Sequence, residues 1–347
     1  MYKIEKILRT TVKYNASDLY IATGSKPVIR INGDLIKVDE HPVLTKKIAE
    51  EYLLEIMTTE QKKKFEQSLD LDFSIEIENI ARFRVNIFVQ RKGVSAVFRL
   101  IPETVMTIDE LGLPSQTKKA TKFKNGLVII TGPTGSGKTT TLAAMVNEIN
   151  RNYKKHVITI EDPIEYVHKN ENSFIQQREV GTHTHSFQKA LRSSLRESPD
   201  VILLGEMRDL ETIQMAITAA ETGHLVLATL HTSGCADSIN RIIDAFPHEQ
   251  QNQVKTQLAQ TLRAVFYQTL LKTKDEKGRV GAFEIMFINN AIANMIRKDA
   301  THQIDGVIET STKEGMQTMK KALTDLYQAG LITEESALEN IPKKFEE

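Results

Sequence analysis

Residues 126–146, GLVIITGPTGSGKTTTLAAMV, constrain the fold more than any other stretch of this 347-residue chain. A short apolar run, Leu127 to Ile130, breaks at a glycine-rich loop, and a helix-forming run follows Lys138-Thr139. The loop fits G-x-x-x-x-G-K-[ST] at Gly132, Gly137, Lys138 and Thr139, in the strand–loop–helix setting that this pattern requires. Its backbone N–H groups and the helix N-terminus are suited to cradle phosphate oxygens. Gly132, Pro133, Thr134, Gly135 and Ser136 would form the bend, and Gly137, Lys138, Thr139 and Thr140 would open the helix. Lys138 would reach the β- and γ-phosphates, and the Thr139 hydroxyl would ligate Mg²⁺.

Three more short apolar runs follow: HVITI before Glu161-Asp162, DVILLG before Glu206, and LVLATL before His231. They alternate with longer helical runs, which predicts a parallel sheet. Open α/β sheets hold ligands outside the carboxyl ends of their strands, so the four run ends are expected to converge on one site. Glu206 would assist the metal. Glu161, Asp162 and Glu165 flank Pro163 and offer a carboxylate to orient or deprotonate water, although an ordinary acidic loop has the same composition. His224 and His231 bracket LVLAT and could sense phosphate or contact a neighbour. His183 and His185, in GTHTHSF, have a metal-like spacing with no third ligand evident. From about residue 285 the chain reads as helical, with Met316, Met319, Leu323, Leu326 and Tyr327 as a core-packing stripe.

The first hundred residues read as a small α+β domain. Asn32-Gly33 separates two strand-like runs, a hairpin signal. Residues 44–67 are helical in pattern, with Thr58-Thr59 interrupting and capping a second helix. Residues 71–100 then alternate, Phe83, Val85 and Ile87 against Arg82, Arg84 and Asn86, which predicts an antiparallel meander with one buried face. Arg84 and Arg99 lie off that face, where spacing alone reads as a solvated basic surface. Pro102 and Pro114 punctuate a linker.

Bulk properties narrow the classes. Lys+Arg and Asp+Glu both number 45, so net charge gives no reason to expect a polyanion partner. Cys235 is the single cysteine, which excludes an intrachain disulfide framework and a four-cysteine zinc site. The charged N-terminal stretch lacks the apolar core of a signal peptide. No apolar run approaches the roughly 20 residues of a membrane-spanning helix. A cytosolic protein is expected.

Taken jointly, GPTGSGKTTT, ITIEDPIEYVH, DVILLGEMRDLETI and AAETGHLVLATLHT resemble the Walker A, Asp box, Walker B and His box of the secretion ATPases, the hexameric motors of type II secretion and type IV pili. ASDLYIATGSKPVIRINGDL and RFRVNIFVQRKGVSAVFRLIP resemble the N-terminal domain of the same family, so the likeness covers nearly the whole chain. Short length, the missing tetracysteine insertion and AIANMIRKDATHQIDGVIETSTKEGMQTM are similar to the pilus retraction branch. Ala293 stands where that branch has Arg, Lys298 where it has Glu, and Ser198 replaces a common acidic residue.

The resemblance implies an α/β protein: a small PAS-like α+β N-terminal domain (1–100), a linker (101–113) and a RecA-like P-loop ATPase domain with a helical C-terminal extension (114–347). It implies ATP and Mg²⁺, with Glu165 activating water, Glu161 and Asp162 in support, and Glu206 assisting Mg²⁺ or the water. His231 would read the γ-phosphate and His224 would help couple the site to a neighbour. Arg84 and Arg99 match arginines that approach ATP in the hexamer, which overturns the bland reading of both. The implied activity is ATP hydrolysis driving pilus retraction and twitching motility. The implied partners are a homohexamer and an inner-membrane platform protein, with no nucleic acid and no membrane insertion, at the inner face of the cytoplasmic membrane. An assembly-type or accessory ATPase of the same machinery, a RecA-like nucleic-acid motor and a non-hydrolysing ATP sensor are the alternatives. No N-K-x-D segment supports a GTPase.

Overall fold

A computed structural model of the chain describes residues 3–31, 33–78, 80–101 and 104–341. Two units divide it, one comprising Met1–Thr104 with Pro163–Val167, the other Val105–Asp162 with His168–Glu347.

The first unit runs α1 (Glu5–Lys13), β1 (Asp18–Ala22), β2 (Val28–Ile31), β3 (Asp34–Lys37), α2 (Lys46–Glu55), α3 (Thr59–Ser68), β4 (Asp70–Ile77), β5 (Ala81–Gln90) and β6 (Gly93–Ile101). Its six strands form one antiparallel sheet in the order β3-β2-β1-β6-β5-β4. Ile31 pairs with Asp34 across the expected hairpin, where Gly33 takes the left-handed conformation and Asn32 lies outside the described residues. Thr58 caps α3 in a reciprocal box with Gln61, which satisfies two backbone groups and stops α2 from running on. Alternation along β5 and β6 buries Phe83, Val85, Ile87, Ala96 and Phe98 with Leu8 of α1 and Leu53 of α2. Each large side chain removed from water there contributes about 1.5–3 kcal/mol.

The second unit runs α4 (Ser115–Thr121), β7 (Gly126–Thr131), α5 (Lys138–Asn152), β8 (His156–Glu161), β9 (Phe174–Glu179), α6 (Phe187–Ser194), β10 (Val201–Leu204), α7 (Leu210–Glu221) and β11 (Leu225–Leu230). It continues with α8 (Cys235–Asp244), α9 (His248–Thr261), β12 (Leu262–Lys272), β13 (Arg279–Phe287), α10 (Asn290–Arg297), α11 (Ile304–Thr310), α12 (Met319–Gln328) and α13 (Glu334–Glu339). The sheet order is β13-β12-β7-β11-β10-β8-β9, parallel throughout except for β12 against β13. The four apolar runs form its centre, and every residue of β7, β10 and β11 is buried, as a sheet covered on both faces requires. Residues 105–113 pack with this unit: Ile108 is buried in its core and Asn147 Nδ2 donates to the Val105 carbonyl at 3.1 Å.

Two expectations need correction. The C-terminal stretch is not helical from 285, because β13 continues to Phe287 and pairs along its length with β12. Nor do the five C-terminal residues form one stripe. Met319 and Leu323 are buried on α12, whereas Met316 precedes the helix in the main core and Tyr327 is exposed. Among the described residues, no helix is long and apolar enough to cross a membrane.

Candidate functional site

β7 ends at Thr131, and the chain turns at Gly132 with φ +146°. A Cβ at Gly132 would lie 2.2 Å from the Gln268 carbonyl oxygen and 2.8 Å from Ser136 Oγ, so only glycine fits. Gly132→Ala must displace the loop or β12, and we expect it to weaken ADP binding about tenfold or more, the scale of an overpacked contact. Titration with a fluorescent ADP measures this, and wild-type affinity would remove the steric argument.

α5 begins after Gly137, whose left-handed backbone offers no side-chain cap. No side chain closes the N-terminus of α5 against an anion, and the aligned peptide dipoles favour negative charge there. Thr139 and Thr140 are half-buried in its first turn, while Pro133, Thr134 and Gly135 stand exposed at the loop's crest. Lys138 Nζ donates to the carbonyls of Gly132 at 2.9 Å and Pro133 at 3.0 Å. Burial lowers the Lys138 pKa below the usual range, and the nearby Glu206 carboxylate opposes that shift. An ammonium stripped of water beside a ring of N–H donors suits a polyphosphate. Thr139 and Glu206 are the oxygen donors that would hold Mg²⁺ beside it.

Glu206 follows Gly205 at the end of β10. Leu204 pairs with Ile160 and the Gly205 N–H donates to the Ile160 carbonyl at 2.9 Å, which sets the ends of β8 and β10 side by side. Arg208 Nε lies 2.8 Å from Glu206 and His231 Nε2 lies 3.4 Å from it. Thr232, next to His231, donates its N–H to Thr131 Oγ1 at 3.0 Å, which ties the His231 segment to the strand that carries the loop. Lys138, Glu206 and His231 are therefore gathered at one sheet edge.

Glu161 is buried at the end of β8 and accepts from Thr159 Oγ1 at 2.6 Å and Gln177 Nε2 at 3.3 Å. Gln177 Oε1 accepts the His168 N–H at 2.8 Å, so one side chain braces both ends of the segment that carries Asp162 and Glu165. Asp162 is exposed and Glu165 half-buried.

His224 is not brought to this edge. It precedes β11, at the amino side of the sheet, with Nδ1 3.0 Å from the Ala219 carbonyl and 3.2 Å from Thr222 Oγ1. A six-residue strand, about 20 Å at ~3.3 Å per residue, separates it from the loop of its own chain. Direct contact with that nucleotide is out of reach. His183 Nδ1 accepts the Glu179 N–H at 3.0 Å, a bond internal to its loop.

In the first unit, Arg84 and Arg99 are directly opposed across β5 and β6. Like charges so placed repel. Buried Asp18, opposite Arg99 on β1, accepts from Arg99 Nε at 3.0 Å, and Asp72 lies 4.0 Å from Arg84 Nε. The two side chains remain 37% (Arg84) and 66% (Arg99) exposed, enough to take a phosphate group in bidentate fashion. Sequence reasoning missed Asp18, Gln177 and Gln268, although a polar residue inside an apolar strand pattern signals the last.

A parallel sheet whose carboxyl edge gathers a phosphate loop, its lysine and a carboxylate–histidine pair defines a phosphate-loop nucleotide-binding protein. The chain belongs to the Type II/IV secretion system protein family, which matches residues 1–339. It is 47% identical over 344 residues to the type IV pilus retraction ATPase PilT of Pseudomonas aeruginosa, covering 99% of each chain. It is 47% identical over 336 residues to a twitching motility protein of Neisseria gonorrhoeae, covering 97% of this chain and 90% of the other. A crystal structure of the pilus retraction motor PilT with bound ADP superposes with TM-score 0.92 at 42% identity, covering 99% of this chain and 98% of that one.

Proposed function

We propose that this protein is an ATP-hydrolysing motor that powers type IV pilus retraction. The supporting observation is that likeness to a retraction ATPase covers 99% of the chain, which also gathers the phosphate loop, Lys138, Glu206 and His231 at one sheet edge. Lys138 and the α5 N-terminus bind the phosphates, and Glu165 accepts a proton from the attacking water, with Glu161 and Asp162 setting its loop. Thr139 and Glu206 would hold Mg²⁺, which would supply charge neutralisation at the phosphates. His231 senses the γ-phosphate through its pairing with Glu206.

Arg84 and Arg99 stabilise charge on the transferring group, a role worth 10³–10⁵ in rate in the best-studied switches. In a homohexamer they would act on nucleotide held by the assembly, and His224 would couple one subunit to the next. Arg84→Ala should therefore cut hydrolysis by about 10²-fold or more in the assembled form while leaving nucleotide affinity within about threefold. Equal activity would remove its role as a charge supplied to the transition state.

Within this reading the first unit is the PAS-like domain, the second a RecA-like domain with a helical C-terminal extension, and the linker expected at 101–113 contains the hinge, ahead of the part that packs with the second unit from Val105. The partner is a platform protein at the cytoplasmic face of the inner membrane. A deletion strain tests the direction of the motor: excess surface pili support retraction, and loss of pili supports assembly. The accessory alternative keeps support from Ala293, buried on α10, and from Lys298, exposed at its end. Hydrolysis stimulated by single-stranded DNA would favour a nucleic-acid motor instead.

A further inference from the structure

β12 carries none of the family's named motifs, yet it supports the phosphate loop from behind. Phe266 and Tyr267 pair with Ile130 and Thr131 of β7, so Gln268 is the first residue of β12 past the end of β7. There its carbonyl meets the loop at the one position with no room for a Cβ, Gly132. Its side chain, 2% exposed as a residue, donates from Nε2 to the Ser136 carbonyl at 2.6 Å. A Cβ on Gly137 would stand 3.3 Å from that same nitrogen. One residue thus touches the first glycine, the serine and the last glycine of the loop. Three positions on, Leu271 is buried with Met319 and Leu323 of α12, which anchors the support itself.

The contact is incomplete. Gln268 Oε1 and Ser136 Oγ are both buried without a hydrogen-bond partner. Such an atom is costly to bury, and native interiors hold few of them. One is an acceptor and the other a hydroxyl of the same loop contact, so a small shift of the loop would let them pair with each other. Phosphate binding would supply the occasion, by competing for the Lys138 ammonium that the Gly132 and Pro133 carbonyls now hold.

We propose that Gln268 is a positioning residue for the nucleotide site. Its Nε2 fixes the Ser136 peptide so that the N–H groups after it face the phosphates. Its Oε1 takes the Ser136 hydroxyl when a nucleotide occupies the loop. The inference rests on the loop being a nucleotide site, as proposed above.

Gln268→Met in the full-length protein tests it. Methionine keeps length and bulk but removes both polar atoms. Without nucleotide the change removes one donor to the Ser136 carbonyl and one unpartnered acceptor, so unfolding there should shift by no more than about 2 °C. In the bound protein both bonds are missing. The dissociation constant of a fluorescent ADP and the KM for ATP should rise about tenfold, kcat should change less than about threefold, and the thermal shift given by saturating ADP should shrink. Gln268→Glu keeps the acceptor and loses the donor; it should weaken ADP similarly and carries the comparison if the methionine variant does not fold. Ser136→Ala should weaken ADP about threefold. Unchanged ADP affinity in the Gln268 variants, or an equal fall in unfolding temperature with and without ADP, would overturn the proposal. Lys138→Ala separates the two readings. ADP binding that survives it removes the nucleotide site, whereas binding lost there but untouched in the Gln268 variants removes only the positioning role.

Discussion

Replacing Lys138 with alanine is expected to lower ATP hydrolysis by about 10²–10³-fold or more, to the limit of detection. In the resting protein the ammonium neutralises the negative ends of two peptide dipoles, the Gly132 and Pro133 carbonyls. Without it those carbonyls still point at the place where the β- and γ-phosphates must sit. Alanine therefore both deletes a cation and leaves two partial negative charges against an anion. The fold should survive, since Lys138 opens α5 and alanine is the best helix former. Circular dichroism and the nucleotide-free unfolding temperature should match the wild type while the thermal shift on adding ADP disappears. Near-normal turnover would refute the assignment of the loop.

Glu165→Gln should retain ATP binding and slow hydrolysis by about 10²–10⁴-fold, because an amide cannot accept the proton that the attacking water must lose. Glu206 is the competing base. Its carboxylate is already committed to Arg208 and His231 and lies beside Lys138, which suits a charge partner better than a proton acceptor. Single-turnover assays of both variants decide between them. If Glu206→Gln stops turnover and Glu165→Gln does not, the base is Glu206, and Glu165 becomes a loop residue whose carboxylate serves structure.

Sequence and structure agree best where burial is greatest. β7, β8, β10 and β11 are visible as apolar runs because strands covered on both faces have no polar alternation. β9, FIQQRE, lies at the sheet edge and carries too little apolar content to stand out. β12 was hidden for a different reason. It follows α9 at Thr261/Leu262 with no glycine or proline between them, so the change from helix to strand is imposed by pairing with β7.

The facing arginines were within reach of the sequence. Gln90 pairs with Gly93 across Arg91-Lys92, and that two-residue turn alone sets Arg84 opposite Arg99. What the pattern could not supply was Asp18, some eighty residues away in the chain, which makes their closeness tolerable. In the sequence His224 and His231 look like a pair because one stands at each end of a strand, whereas the two ends of a parallel strand lie on opposite edges of the sheet.

Cys235 has practical value for measuring motion. The thiol is fully buried and donates from Sγ to the Val265 carbonyl at 3.3 Å, while its N–H is held by Glu284. Maleimide reagents will reach such a sulfur slowly. The natural chain is thus close to a silent background for dye labelling. Surface cysteines introduced one per unit could carry a donor and an acceptor fluorophore, and single-molecule energy transfer would then follow the two units through successive turnovers without removing the native thiol.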